Sequence, residues 1–163
     1  MQSCIWCSQD IGTTKGRGEP PLCGCCMEHF SLPPGGPMQK HLDGLLFPVL
    51  GVELYSGKYM ITRVVNRSAC SWLNKKPGEI IQHLAGNVME CVHARLPEGC
   101  GAALSCEVCE ILRSAAETVK TGEPLIAVPA MLLREDAVRA LAMMLRLTTM
   151  KSGGLVMLRL DRQ

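Results

Sequence analysis

Two pairs of cysteines near the N-terminus constrain the first 30 residues more than any other feature of this sequence. Cys4-x-x-Cys7 and Cys23-x-x-Cys26 are separated by fifteen residues, a spacing that can place four thiolates around one tetrahedral ion. The segment has too few apolar residues to bury a core, so a bound metal would supply its folding free energy. We therefore predict a zinc-ribbon-like knuckle over residues 1–30 that holds zinc; the alternative is a reduced, disordered tail.

Two further residues beside these pairs carry ligand atoms of the same chemistry. Cys25 could replace either member of the second pair, and His29 is a further substitute because imidazole nitrogen also binds zinc. The cations near the knuckle are Lys15 and Arg17, which is thin support for a nucleic-acid contact. We expect a structural or protein-contact role for the knuckle.

A second group of four cysteines lies in the later part of the chain: Cys91, Cys100, Cys106 and Cys109. Helical spacing of apolar residues predicts a long helix from Cys106 to Gly122. Cys106 and Cys109 lie at its predicted start, and a helix N-terminus stabilises thiolates. Gly99 and Gly101 allow a tight loop that could bring the sulfur of Cys100 toward this pair.

The chemistry of this second cluster has several interpretations. Four converging sulfurs could bind zinc or an iron–sulfur cluster. A second interpretation is that the cysteines are redox thiols, with Cys106 and Cys109 as the reactive pair. A third is that they are buried cysteines that act as small apolar groups. His93 could substitute for Cys91, whereas Cys70, alone in a predicted helix near Trp72, is expected to pack in the core.

The chain divides into three parts by composition. Ser31–Pro37 is rich in proline and glycine and favours a linker, which we assign to residues 31–40, and residues 41–163 have globular composition. Within them we predict two strands, short helices, the long helix and three more strands. The predicted strands are Leu45–Leu54, Tyr59–Val65, Leu125–Leu133, Val138–Met150 and Leu155–Leu160. The Ala, Leu and Met content of 138–150 would also suit a helix. Pro129 confines the third of these to a sheet edge or a bulge.

Charge and motifs exclude several classes of function. The formal net charge of +2 provides no basic surface for nucleic acid, so a nucleic-acid partner is not expected. No run of 18 apolar residues and no signal peptide are visible, so we expect a cytoplasmic protein that does not contact the membrane. The phosphate-binding loop, the nucleophile elbow, the metalloprotease motif and the kinase motifs are missing. We expect that the protein is not an enzyme.

The region from Phe47 to Arg159 resembles the PAS domain. The sequence VVNRSACSWLNKKPGEIIQ resembles the turn-and-helix signature of that family, with Asn66 at its capping position and Asn74 where the family usually has glycine. The stretch GNVMECVHARLPEGCGAALSCEVCEILRSAAETVKTGEP resembles a bacterial PAS subgroup of sensor kinases and related signalling proteins, through its E-C, G-C-G and C-x-x-C elements ahead of a helix. The resemblance implies an α+β fold, a PAS-like five-stranded antiparallel sheet with helices on one face.

The resemblance also implies a function. It predicts a bacterial sensor or adaptor that detects redox state, oxygen or metal through the second cluster and signals by contact with a protein such as a kinase or another output module. It further implies a homodimer formed through the apolar face of the sheet. The alternatives are a structural zinc-binding adaptor, and a zinc-ribbon regulator that binds nucleic acid and dimerises through the PAS part.

Overall fold

A five-stranded antiparallel sheet organises the chain in the computed structural model, which describes residues 2–12, 22–135 and 138–163. Its spatial order is β4-β3-β7-β6-β5, and the first two N-terminal strands pair separately as a small hairpin. The strands are β1 Gln2–Ser3, β2 Asp10–Gly12, β3 Val49–Tyr55, β4 Tyr59–Val65, β5 Leu125–Glu135, β6 Ala140–Ser152 and β7 Leu155–Arg162.

Most helices follow β4 and pack on one face of this sheet. Ala69, Ile80, Val88 and Ile111 from four of the helices share a buried core with Leu158 of β7 and its neighbours. The helices are α1 Gly24–Phe30, α2 Gly36–Asp43, α3 Arg67–Leu73, α4 Pro77–Ile80, α5 Ala85–Val88 and α6 Glu110–Thr121, with 3₁₀ turns at Val92–Arg95 and Leu104–Val108. The predicted α+β class and antiparallel sheet are confirmed.

The other face of the sheet is partly covered by the N-terminal unit, which comprises the small hairpin, α1 and α2. Trp6, Met38 and Leu42 of this unit share a second buried core with Val49 and Met157 of the sheet. Successive residues of a strand point to opposite faces, and the neighbours Leu50 and Leu158 belong to the first core. The unit therefore forms a third layer of the fold.

The proline- and glycine-rich segment is more structured than a linker. Residues 31–35 lie outside helices and strands, but α2 begins at Gly36. Pro37 lies in the first turn of α2, where its missing N–H costs no intrahelical bond. The predicted linker over 31–40 therefore overlaps a helix whose Met38 and Leu42 are buried.

The strand predictions hold with shifted ends. The first predicted strand began at Leu45, whereas β3 begins at Val49, directly after Pro48. β4 has the predicted bounds. β5 lies at the edge of the sheet. Proline has no backbone N–H to donate to a neighbouring strand, and an edge strand such as β5 tolerates this at Pro129.

The long helix begins later than its apolar spacing indicates. Cys106 lies in the 3₁₀ turn, and Cys109 is the N-cap residue of α6. Gly122 ends the helix with a φ of 76°, a left-handed conformation that glycine adopts without strain. The placement of Cys106 in the helix is therefore wrong.

Asn66 ties the start of the domain to the sheet. Its Oδ1 accepts from the N–H groups of Val49 and Ala69, both at 2.9 Å, which also caps α3. Its Nδ2 donates to the carbonyls of Leu42 at 3.0 Å and Phe47 at 2.9 Å. Because Asn66 is fully buried, its loss would leave these groups without partners. The predicted capping role is confirmed, and Asn74 at the end of α3 has the left-handed φ of 52°.

We expect Asn66→Ala to lower the free energy of unfolding by about 3 kcal/mol, since several buried groups each lose a partner worth about 1–3 kcal/mol. Exposed Asn87 is the matched control, and Asn87→Ala should change stability by less than about 0.5 kcal/mol. Urea denaturation followed by circular dichroism measures both. Equal stability of the two variants would contradict this role of Asn66.

Candidate metal centres

The first centre brings together the four cysteines of the predicted knuckle. The Sγ atoms of Cys4, Cys7, Cys23 and Cys26 all lie within 4.8 Å of one another. Cys4 and Cys7 stand in the turn of the β1–β2 hairpin, whereas Cys23 is the N-cap residue of α1 and Cys26 lies in its first turn. The first pair thus occupies a knuckle, and the second pair occupies a helix start rather than a second knuckle.

These distances fit a tetrahedral zinc ion. Four sulfurs at about 2.3 Å from zinc lie about 3.8 Å from one another, and the Sγ atoms of Cys7 and Cys23 are 3.5 Å apart. The backbone N–H of Cys26 points at the sulfur of Cys23, at 3.3 Å, which is the polar support that a metal-bound thiolate needs. The residues present therefore fit the predicted zinc site.

The thiols of this centre differ in how readily they ionise. Burial opposes ionisation of Cys4, but backbone hydrogen bonds at Cys23, Cys7 and Trp6 outweigh it and lower its pKa to about 7. Burial, followed by the neighbouring Cys23 and Cys4, raises the pKa of Cys26. Cys4 therefore ionises more readily than Cys26, and a divalent ion bound here would displace the proton that Cys26 retains.

The centre is fixed to the sheet by several contacts. Trp6, between two of the ligands, is fully buried and donates from Nε1 to the sulfur of Met150 at 3.1 Å. The guanidinium of Arg159 on β7 donates to the carbonyl of Ile5 at 2.9 Å. It also lies 3.7 Å from the ring centre of Phe47. A metal bound here would therefore hold the covering layer of the sheet in place.

Cys25 and His29 do not enter the first centre. Cys25 is exposed and faces the imidazoles of His29 and His41, with which it forms a separate group. Burial, and then the nearby His29, lower the pKa of His41, so its imidazole is neutral at neutral pH. The sequence analysis missed His41 because residues 31–40 were predicted to be a linker, so the helix α2 that carries His41 was not expected.

The second cluster surrounds a cavity between the helices and the edge of the sheet. Cys91, Cys100, Cys106 and Cys109 all line one cavity of about 260 Å³. His93 also lines it, while Cys70 packs against the first core as predicted. Apolar groups such as Met60, Met89 and Ile111 supply most of the remaining wall. The four cysteines of the second cluster therefore all line the same cavity.

The sulfurs of the second cluster are spaced more widely than those of the first. Within the described residues, two groups of three or more potential ligands have ligand atoms within 4.8 Å of one another, and neither includes a cysteine of the second cluster. A single tetrahedral zinc needs sulfur separations of about 3.8 Å. The sulfurs of the second cluster therefore do not meet the spacing of a single tetrahedral zinc ion.

Burial suppresses thiolates in this cavity. It raises the pKa of Cys100 to about 11, with smaller effects from the other three cysteines. It also raises the pKa of Cys109, although the N–H groups of Leu112 and Ile111 partly oppose this. The expected stabilisation of a thiolate at the helix start is therefore outweighed at Cys109.

Two glycines allow the loop of Cys100 to approach the domain. A Cβ at Gly86 would overlap the sulfur of Cys100, and a Cβ at Gly101 would overlap the carbonyl of Lys58. Gly101 has a φ of 93°, and its N–H donates to the sulfur of Cys106 at 3.2 Å. The predicted tight loop around Cys100 is present, and it supplies polar support to a neighbouring sulfur.

Comparison with solved structures identifies the architecture. Over 83% of this chain, the LOV protein of Rhodobacter sphaeroides superposes with a TM-score of 0.50 at 12% sequence identity. The chain has a PAS-like fold. It spans 65% of the length of that LOV protein. No protein-family model matches the sequence, and no curated protein matches it significantly.

Two further solved structures match the PAS-like chain less closely. The PAS domain of nitrogen regulation protein NR(II) from Vibrio parahaemolyticus has a TM-score of 0.47 and 10% identity, over 79% of this chain and 100% of that domain. The photoactive yellow protein domain of the sensor histidine kinase Ppr from Rhodospirillum centenum has a TM-score of 0.45 and 12% identity, over 76% of this chain and 92% of that domain.

Among the described residues, no helix is both long and apolar enough to cross a bilayer.

Removal of zinc should expose Trp6. In a Trp72→Phe variant, Trp6 is the only tryptophan, and we expect treatment with EDTA to shift its fluorescence to longer wavelength because the unit that buries it loses its metal. The matched variant Trp6→Phe reports on Trp72, which lies beside Arg134, and its spectrum should not change. An unchanged Trp6 spectrum in metal-free protein would contradict the zinc assignment.

Proposed function

We propose that this protein is a non-enzymatic sensor of the bacterial cytoplasm that detects redox state or oxygen through an iron–sulfur cluster in its PAS-like domain. The observation that carries the proposal is that Cys91, Cys100, Cys106 and Cys109 line one cavity. Cysteine thiolates are the usual ligands of such clusters. The N-terminal unit supplies a separate, structural zinc site.

The size of the cavity favours a cluster over a single ion. A cavity needs about 10–15 Å³ of accessible volume to hold one water molecule, which is similar in size to an ion, whereas this cavity measures about 260 Å³. In a four-iron cluster each thiolate binds a different iron, so the sulfurs lie farther apart than around one zinc ion. No three of these four sulfurs lie within 4.8 Å of one another, which agrees with that requirement.

The raised pKa values weigh against a simple thiol switch. The thiolate is the species that reacts in thiol–disulfide exchange. Burial raises the pKa of both Cys100 and Cys109, so these thiols are slow nucleophiles at neutral pH. Binding to iron would stabilise their deprotonated form instead.

A change at the cavity can reach the sheet edge through a short series of contacts. Cys91 forms an isolated antiparallel bridge with Arg134 of β5. Arg134 also pairs with Glu90 at 2.9 Å, and Glu90 pairs with Lys75 at 3.3 Å. These ion pairs lower the pKa of Glu90, chiefly through the hydrogen bond from Arg134. Movement of the Cys91 loop would therefore shift β5.

The proposed readout is contact with another protein, either a kinase or output module or a second copy of the chain. The N-terminal unit covers the outer face near β3 and β7, whereas Met131 and Met144, which are paired on β5 and β6, are about half exposed. We propose that the homodimer uses this uncovered part of the face. No nucleic-acid partner is proposed, because the net charge is only +2.

The cluster is tested by metal analysis of protein purified without oxygen. We expect about one tightly bound zinc, several irons and a brown colour that fades in air. Cys106→Ser combined with Cys109→Ser should abolish iron and colour while leaving the tightly bound zinc. Cys70→Ser is the matched control and should retain both metals.

Two outcomes would contradict the proposed cluster. Colourless protein with two tightly bound zinc ions would favour the structural adaptor. Colourless protein with one tightly bound zinc would leave thiol chemistry at Cys106 and Cys109 as the surviving sensory mechanism.

The proposed dimer makes a second prediction. Met144→Asp should shift the protein from dimer to monomer in analytical ultracentrifugation, because a charge would be buried without a partner. Leu46→Asp is the matched control, since Leu46 is 95% exposed and distant in sequence from β5 and β6. A dimer in both variants, or a monomeric wild type, would exclude this interface.

A further inference from the structure

We propose that Cys25, His29 and His41 form a second zinc site, exchangeable and distinct from the four-cysteine centre beside it. The proposal is independent of the iron–sulfur cluster. The ligand atoms of these three residues lie within 4.8 Å of one another. The set combines one thiolate with two imidazoles, which zinc accepts in both structural and catalytic sites.

The distances match tetrahedral coordination. A sulfur at about 2.3 Å and a nitrogen at about 2.05 Å from the same zinc ion lie about 3.6 Å apart. The sulfur of Cys25 is 3.6 Å from Nδ1 of His29 and 3.9 Å from Nδ1 of His41. Residues from two helices, α1 and α2, are thus placed at ligand separations.

The neighbouring centre prepares His41 as a ligand. Its Nε2 lies 3.3 Å from the sulfur of Cys26. A metal-bound thiolate can only accept a hydrogen bond, so Nε2 carries the ring proton and donates it. The lone pair of His41 is then on Nδ1, the nitrogen that faces Cys25. Outer contacts of this kind fix the tautomer of metal-binding histidines.

The ring of His29 must turn before it can bind the same ion as His41. The two rings stack with centres 4.4 Å apart and an interplanar angle of 12°, and because the lone pair of an imidazole nitrogen lies in the ring plane, one ion cannot lie in both planes in this conformation. In the structure Nδ1 of His29 donates to the carbonyl of Cys25 at 2.7 Å. Zinc binding at Nδ1 places the proton on the other ring nitrogen and replaces that hydrogen bond with a coordination bond.

The site differs from the first centre in exposure. Cys25 is exposed and the two histidines are half-buried, whereas three of the four sulfurs of the first centre are on buried residues. Three protein ligands also leave one position for water, as in open zinc sites. The consecutive residues Cys25 and Cys26 therefore serve two sites, one that retains zinc and one that exchanges it.

Equilibrium dialysis of the full-length protein against graded concentrations of free zinc tests the site. We expect one tightly held zinc ion and a weaker one. Cys25→Ser and His29→Gln should each weaken the second binding step at least about tenfold, the lower limit for loss of even a supporting partner. Cys70→Ser and His83→Gln are the matched controls and should bind as wild type.

Two outcomes would overturn the proposal. Unchanged weak binding in Cys25→Ser and His29→Gln would place the exchangeable zinc elsewhere. Loss of the tightly held zinc in Cys25→Ser would make Cys25 a ligand of the first centre. Neither result depends on iron, so failure here is distinguishable from failure of the proposed cluster.

Discussion

The packing of the N-terminal unit on the sheet is the constraint on which the rest of the structure depends. Val49, Val64 and Met157 form an apolar surface on the face opposite the main helices, and such a surface must be covered. The unit that covers it contributes few large side chains, among them Trp6, Met38 and Leu42. A metal bound by the four cysteines would add to the stability of that core, so metal binding and coverage of the sheet would belong to one process.

The sequence predicted most of the fold because its local signals agree with the tertiary structure. Asn66 caps α3, Asn74 and Gly122 end helices in left-handed conformations, and Pro129 lies on an edge strand. Each of these depends on backbone chemistry within a few residues. The boundaries of the first strand and the long helix were less well predicted, since apolar spacing continues into the turns that precede both elements.

The sequence predicted which cysteines form the candidate sites better than it predicted how their side chains are arranged. The pairs Cys4–Cys7 and Cys23–Cys26 converge as their spacing indicated. The C-x-x-C spacing of Cys106 and Cys109 did not predict how far apart the four sulfurs of the second cluster lie. That separation depends on how α6 and β5 enclose the cavity. His41 could not be found from spacing alone, since its partners lie on another helix and its own helix begins in a segment rich in proline and glycine.

The attachment of the N-terminal unit brings together the most distant parts of the sequence. Trp6 contacts Met150, and Ile5 contacts Arg159, across 144 and 154 positions. Contacts between distant segments form slowly because a long loop must close first. During synthesis the N-terminal residues emerge first, yet their docking surface is complete only after β7 has been made. The cysteines of the first centre must therefore remain reduced and available until β7 has been made, and assembly of this layer is a late step of folding.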